Sequence, residues 1–101
     1  MAVTAPEYVE KQSGETRTYT MDFSNLMASD ETIASITSVT SELRGGGTTD
    51  LTITGEAISS QTVTMKIAGG TDRKVYRIEV TIVTSGTQIL IGDGMLRIMD
   101  K

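Results

Sequence analysis

The chain has 101 residues, enough for one domain built around a single small core. Its 13 acidic and 9 basic residues give a net charge of −4, which argues against nonspecific binding to nucleic acid, because such binding needs Lys and Arg to neutralise phosphates. Cysteine is absent and no apolar run approaches the roughly 20 residues that span a bilayer, so we expect no disulfide, no membrane segment and synthesis in a cytoplasm.

The first 15 residues differ in character from the rest of the chain. They contain the only proline, Pro6, and end in a polar stretch around Gly14. We expect an extended arm over residues 1–15, at most an edge strand, that leads into a domain over residues 16–101. Two interpretations of the arm stay open. It is either a frayed terminus or a segment that docks on a neighbouring subunit through Pro6, Tyr8 and Val9.

Residues 19–33 predict a compact corner between two sheets. Tyr19, Met21 and Phe23 alternate with polar residues, which is the two-residue period of a half-buried strand. Ser24 is expected to cap one helical turn, and the Leu-Met pair that follows is expected to fold back onto the core. A new strand then begins at Ile33. Such a corner carries the chain from one sheet of a β-sandwich to the other.

The remaining sequence is rich in Thr, Ser, Ile and Val, with glycine at the breaks, and indicates strands throughout. The strongest strand is the fifth, in which Tyr76, Ile78, Val80 and Ile82 share one face. Predicted strands that recur every 10 to 12 residues are typical of an all-β sandwich. We expect a bulge or kink at residues 92–94, where two glycines interrupt the last strand. The six predicted strands cover residues 16–23, 33–42, 49–58, 61–68, 74–84 and 87–99.

Two loops are candidates for contact with a partner, because loops are exposed in almost any sandwich topology. One contains three consecutive glycines and is expected to be mobile or tightly curved. The other is a turn with two adjacent basic residues. The candidate contact residues in these loops are Arg44, Gly45, Gly46 and Gly47, and Asp72, Arg73 and Lys74.

The residues that usually carry catalysis are scarce. Histidine and cysteine are absent, which removes the commonest general base, the commonest metal ligand and the thiol nucleophile. The glycine-rich loop is not followed by Lys-Ser/Thr, so a phosphate-binding loop is not predicted. No calcium-loop spacing is present. We therefore expect no enzyme, no metal site and no cofactor. With no Trp and three Tyr, the chain also offers few platforms for stacking sugars.

Residues 21–35, with their Asp-Phe-Ser stretch before a Leu and a strand that reads Thr-Ile-Ala-Ser, resemble a family of tailed-bacteriophage structural proteins. Residues 75–86 and the alternating strand 95–99 extend the resemblance to residues 19–99. These proteins are described as fiber-tail adaptor or immunoglobulin-like virion proteins. The chain departs from that pattern at residues 88–94, where charged residues are more typical, and at residues 36–39, where an aromatic residue is missing.

The resemblance implies a small immunoglobulin-like antiparallel β-sandwich with an extended N-terminal arm. It also implies a non-enzymatic virion protein at the portal, neck or tail, which bridges the tail or connector to fibres or to neighbouring subunits. Its expected partners are other phage structural proteins and further copies of itself, in a homo-oligomer or ring. Two alternatives stay open: a capsid decoration protein, and an immunoglobulin-like module that binds glycans or host surfaces.

Overall fold

A computed structural model describes residues 8–46 and 49–100, and nearly all of its regular structure is β-strand. Local pattern explains most of these strands, because Ile, Val and Thr recur with a period of two between glycine-containing turns. One short 3-10 helix, Ser24–Leu26, is present in these ranges. The strands are β1 Tyr8–Lys11, β2 Arg17–Asp22, β3 Ile33–Leu43, β4 Leu51–Ser59, β5 Thr62–Gly69, β6 Val75–Thr84 and β7 Ile89–Ile98.

The strands form two packed sheets, so the predicted β-sandwich is confirmed. One sheet has the order β1-β7-β6-β3 and the other has the order β2-β5-β4. Strands β2 to β7 correspond to the six predicted strands, with ends that differ by one to two residues in most cases. All neighbours in the two sheets run antiparallel except β1 and β7, which are parallel.

The core lies between the sheets and is built by alternation along the strands. In β6 every second residue is buried, and the predicted core face of this strand is confirmed. Strand β5 contributes one apolar row in the same way, while β4 contributes only partly buried residues. The buried apolar residues are Met21, Phe23, Ile33, Val63, Met65, Ile67, Tyr76, Ile78, Val80, Ile82, Leu96 and Ile98.

The corner between β2 and β3 carries the chain from one sheet to the other, as predicted. Phe23 is fully buried at this corner, and the Leu-Met pair after it packs against the core. The predicted cap is wrong in detail. The cap residue makes no side-chain hydrogen bond to the helical turn. Instead, the Asp22 carboxylate accepts a hydrogen bond from the backbone N–H of Ser24 at 2.8 Å. This bond lowers the pKa of Asp22 because it favours the charged form.

The predicted bulge at residues 92–94 is wrong. Strand β7 pairs with β6 without interruption from Val83↔Ile89 to Val75↔Arg97. The glycine at position 92 serves packing, since a Cβ placed there would lie 2.8 Å from the sulfur of Met21. Irregularities occur instead in β3 and β4, where the register shifts.

Part of the predicted arm is a strand of the sandwich. Strand β1 runs along the end of β7, with Tyr8 opposite Met95. Lys11 is 2% exposed, and its ammonium group donates to two backbone carbonyls, including that of Glu15 at 2.8 Å. Burial lowers the pKa of Lys11. Residues 1–7 lie outside the described residues, so the division into an arm and a domain stays a prediction.

Candidate partner-binding surfaces

The two loops predicted from the sequence meet at one end of the sandwich. The backbone N–H of Arg44 donates to the carbonyl of Val75 at 2.8 Å, and that of Arg73 donates to the carbonyl of Ile98 at 2.7 Å. These bonds fix both loops to the ends of β6 and β7. We call residues 44–46 and 71–74 the loop end. Gly47 lies outside the described residues.

A hydrogen-bonded group anchors the loop end to the core. The buried Tyr76 hydroxyl donates to one Asp50 oxygen at 2.5 Å, and the Thr71 hydroxyl donates to the other at 2.7 Å. The backbone N–H of Thr71 donates to the Tyr76 hydroxyl at 2.9 Å. The hydrogen bond from Tyr76 is the main cause that lowers the pKa of Asp50. The pKa of Tyr76 is raised, first by burial and second by the hydrogen bond with Asp50. The carboxylate therefore stays charged at neutral pH and holds the loop in place.

The exposed side chains of the loop end are mainly basic. Arg44, Arg73 and Lys74 are all exposed. The nearest ion pair joins Arg73 to Asp72 at 3.8 Å, but the arginine side chain is 84% exposed, so water screens the pair. Asp72 instead accepts the backbone N–H of Asp100 at 2.9 Å. The loop end thus presents positive charge on a chain whose net charge is negative.

The predicted arm residues lie elsewhere. Tyr8 and Val9 begin β1 and pair with Met95 and Leu96 of β7. Val9 is 40% exposed and faces the gap between the sheets. Pro6 lies outside the described residues. The candidates therefore divide between two places, the loop end and the start of β1, and do not form a single site.

A second exposed surface lies on β7 and was not among the sequence-based candidates. Ile89 is 69% exposed and Ile91 is 51% exposed, and both point to the outer face of the four-stranded sheet. We call these two residues the isoleucine strip. Residues 89–91 read Ile-Leu-Ile in the sequence, but this apolar run does not by itself indicate which side chains are exposed. The strip also falls within the segment that departs from the resembling family.

A charge cluster borders the isoleucine strip. The Arg77 guanidinium lies 2.5 Å from a Glu79 oxygen and 3.3 Å from an Asp93 oxygen. Asp93 and Glu79 face each other across the β6–β7 pair, so the three side chains share the outer face. Both carboxylates raise the pKa of Arg77, and Asp93 has the larger effect. With two carboxylates to one guanidinium, the cluster keeps one net negative charge beside the apolar strip.

An apolar cleft of about 220 Å³ opens between β2 and β7. Its lining includes Val9, Met21, Ile67 and Gly94. Tyr19 also lines it, and burial raises the pKa of this tyrosine. Its hydroxyl is buried and has no hydrogen-bond partner among residues 8–46 and 49–100. We call this space the edge cleft.

The described part of the chain offers little that would support chemistry. It holds no cluster of three or more potential metal ligands. Within the same ranges, no helix has the length and hydrophobicity needed to cross a membrane. Tyr76 is buried and Tyr19 is partly buried, so neither presents an open ring to a sugar. The loop end and the isoleucine strip remain as exposed features and are candidates for contact with a partner.

The chain is similar to one family of known proteins over most of its length. Residues 11–97 match the family described as podophage GP4 fiber-tail adaptor protein gp77. No curated protein matches the chain. The matched region begins at the last residue of β1 and includes β2 to β7 up to Arg97, so it takes in both sheets and the corner between them. The chain therefore belongs to the family of podophage GP4 fiber-tail adaptor proteins, which are structural components of a phage.

Proposed function

We propose that this chain is a non-enzymatic adaptor in the virion of a tailed phage, located at the portal, neck or tail. It bridges the tail or connector to fibres or to neighbouring subunits, and it acts as several copies in a homo-oligomer or ring. The observation that carries this proposal is the family match over residues 11–97. The strand order, with two packed sheets and a chain that crosses between them, supports an immunoglobulin-like architecture.

A bridge needs two separate contact surfaces, and the described residues supply two. The loop end lies beside Ile98, whereas the isoleucine strip begins at Ile89, at the other end of the same strand. Nine residue steps at ~3.3 Å each separate these ends by about 30 Å. The whole fold measures 42 × 23 × 20 Å, so the two surfaces lie near opposite ends of an elongated body. This separation supports contact with two neighbours at once.

The two surfaces differ in chemistry, which supports two kinds of contact. The isoleucine strip contributes to affinity through burial of apolar area, about 2–3 kcal/mol if both side chains become buried. The loop end has exposed basic side chains, which are suited to orient a partner that carries carboxylates. Arg44, Gly45, Gly46, Gly47, Asp72, Arg73 and Lys74 are the proposed contacts there, and Pro6, Tyr8 and Val9 are the proposed contacts beside β7.

Quantitative mass spectrometry of purified particles tests the adaptor role. Scaled to the major capsid protein, the chain is expected at on the order of ten copies per particle, as a cyclic ring at one vertex requires. Hundreds of copies would instead indicate a decoration protein on the capsid surface. Absence from the particles would contradict a role in the virion and would direct attention to glycans and host proteins.

A pair of matched variants tests the isoleucine strip. Replacing Ile89 and Ile91 by Thr keeps β-branching while removing exposed apolar area, so folding is expected to be unchanged. Particle incorporation is expected to fall at least tenfold, because about 2 kcal/mol of contact energy is lost. Ile58→Thr is the control, since Ile58 is 39% exposed on β4, in the other sheet. Equal incorporation of both variants would exclude the strip as a contact.

A further inference from the structure

The edge cleft is separate from the two contact surfaces described above. It opens between β2 and β7, whereas the isoleucine strip lies on the outer face of the four-stranded sheet and the loop end lies at one end of the sandwich. Several residues that line the cleft also belong to the buried core, and they come from both sheets. The cleft is therefore an opening into the core. These shared residues are Met21, Met65, Ile67, Ile78 and Leu96.

The cleft has room for one large apolar side chain. Its volume is about 220 Å³. An apolar cavity of roughly 150 Å³ in a protein interior is enough to bind a molecule of the size of benzene. A leucine or phenylalanine side chain that entered the cleft would leave water and contact the core, which favours binding. An apolar group is thus the first requirement for an occupant.

A buried hydroxyl group sets the second requirement. Tyr19 lines the cleft, and its hydroxyl has no hydrogen-bond partner among the residues that the structure describes. A buried hydroxyl without a partner is unfavourable, and a peptide carbonyl is an acceptor that would satisfy it. A segment of polypeptide brings an apolar side chain and a carbonyl oxygen together.

The charged side chains that line the cleft are acidic. Asp22 and Asp93 both line it, and its described lining contains no Lys or Arg. The backbone N–H of Ser24 lowers the pKa of Asp22, so this carboxylate is charged at neutral pH. Asp93 lies 3.3 Å from the Arg77 guanidinium, which Glu79 also shares. The cleft therefore favours an occupant that carries positive charge.

We propose that the edge cleft binds a segment of a partner protein in which a large apolar side chain stands next to a lysine or arginine. The apolar side chain fills the cleft, a carbonyl of the segment accepts a hydrogen bond from the Tyr19 hydroxyl, and the basic side chain lies beside Asp22 and Asp93. This inference goes beyond the adaptor role, because it adds a third contact site and the chemistry that the site recognises. Peptide binding by the isolated chain tests it independently of incorporation into particles.

Methionine methyl groups can report binding at the cleft. In NMR spectra of the full-length chain with isotope-labelled methionine methyls, the capped dipeptide acetyl-Leu-Lys-amide is expected to shift the signals of Met21, Met65 and Met95, which line the cleft. Met27 and Met99 do not line it and serve as internal references. A dissociation constant on the order of millimolar is expected for so small a probe. An absence of saturable shifts at the lining methyls would overturn the proposal. Shifts that depend on protein concentration without peptide would indicate a second copy as the occupant and would also overturn it.

Two matched peptides separate the apolar requirement from the charge requirement. Acetyl-Ser-Lys-amide lacks the large apolar side chain and is expected to bind about tenfold more weakly. Acetyl-Leu-Glu-amide reverses the charge and is expected to bind roughly threefold more weakly. Equal binding of the Leu-Lys and Leu-Glu peptides would show a site for apolar groups alone and would overturn the proposal.

Asp22→Asn tests the charge requirement on the protein. The amide oxygen can still accept the backbone N–H of Ser24, so the fold is expected to be unchanged. Affinity for the Leu-Lys peptide is expected to fall by roughly twofold to fivefold, because an attractive charge is lost. Asp30→Asn is the matched control, since Asp30 is exposed in the same corner but does not line the cleft. Equal affinities of the two variants would overturn the proposal.

Tyr19→Phe tests the hydrogen bond to the occupant. The hydroxyl has no partner among the described residues, so its removal is expected to leave the unbound chain at least as stable in urea unfolding. The Leu-Lys peptide is expected to bind roughly threefold to tenfold more weakly, because the hydrogen bond from the hydroxyl to the peptide is lost. Lower stability of the unbound variant, or an unchanged affinity for the peptide, would overturn the proposal.

Discussion

Replacement of Gly92 by Ala is the sharpest test of the packing between the two sheets. A methyl group at this position would lie 2.8 Å from the Met21 sulfur and 2.9 Å from two ring carbons of Phe23. Phe23 is fully buried and cannot move aside without displacing its neighbours. Overpacking of this kind costs about 1–3 kcal/mol. For a domain of this size, that cost corresponds to a fall in Tm of roughly 5–20 °C.

Gly94→Ala is the matched control, because this glycine lies two residues further on the same face of β7. A methyl group there would be 3.6 Å from the Met21 methyl carbon, which is ordinary contact. The substitution is expected to leave stability unchanged or to raise it by about 0.4–1 kcal/mol, because Ala lowers the conformational entropy of the unfolded chain. Urea and thermal unfolding followed by circular dichroism measure both variants. If Gly92→Ala is as stable as Gly94→Ala, the close packing of Phe23 against β7 is refuted.

Three further predictions concern the loops and the corner. Tyr76→Phe is expected to destabilise the fold by about 1 kcal/mol at pH 7. This loss of stability should shrink below about pH 4. The pKa of Asp50 is lowered in the folded state, so the stabilising effect of its charged form disappears as pH falls through that pKa. A loss of stability that does not depend on pH in urea titrations would contradict this. Gly69→Ala is expected to destabilise the fold more than Gly45→Ala, although φ is positive at both positions. A Cβ at position 69 would lie 2.6 Å from a backbone oxygen, whereas a Cβ at position 45 would meet no atom of the described residues within 4 Å; equal Tm values would refute this. Gln61→Ala is expected to cost about 1 kcal/mol in thermal unfolding, because its amide donates to two backbone carbonyls of the β2–β3 corner, and an unchanged Tm would show that water replaces these bonds.

Local pattern was sufficient to predict most of the fold. The alternation in β6 identified its buried face, and the polar break after Phe23 identified the corner between the sheets. These features depend on residues close together in the sequence. The expected bulge in β7 was wrong because the glycine at position 92 makes room for Phe23, which directly follows β2 of the other sheet. A glycine that makes room for a distant ring has the same local signature as a glycine that bends a strand.

The candidate surfaces were predicted less completely, since they depend on which strand ends at which edge. The two loops were identified as exposed, but their meeting at one end follows from contacts such as Arg44 with Val75. The parallel pairing of β1 with β7 joins residues about 87 positions apart and leaves no local pattern. Ile89 and Ile91 are exposed because they point to the outer face of the four-stranded sheet. In sequence, Ile-Leu-Ile reads equally well as a strand buried on both faces.

The parallel pairing of β1 and β7 has a mechanical consequence. The chain enters this pair at Tyr8 and leaves it after Ile98, at the opposite end. A pulling force applied between the preceding and following segments would therefore slide the two strands along each other. Under such shear, the backbone hydrogen bonds of the pair bear the force together, whereas an antiparallel hairpin pulled at its open end would unzip one bond at a time. The parallel pairing of β1 with β7 thus resists tension along the chain.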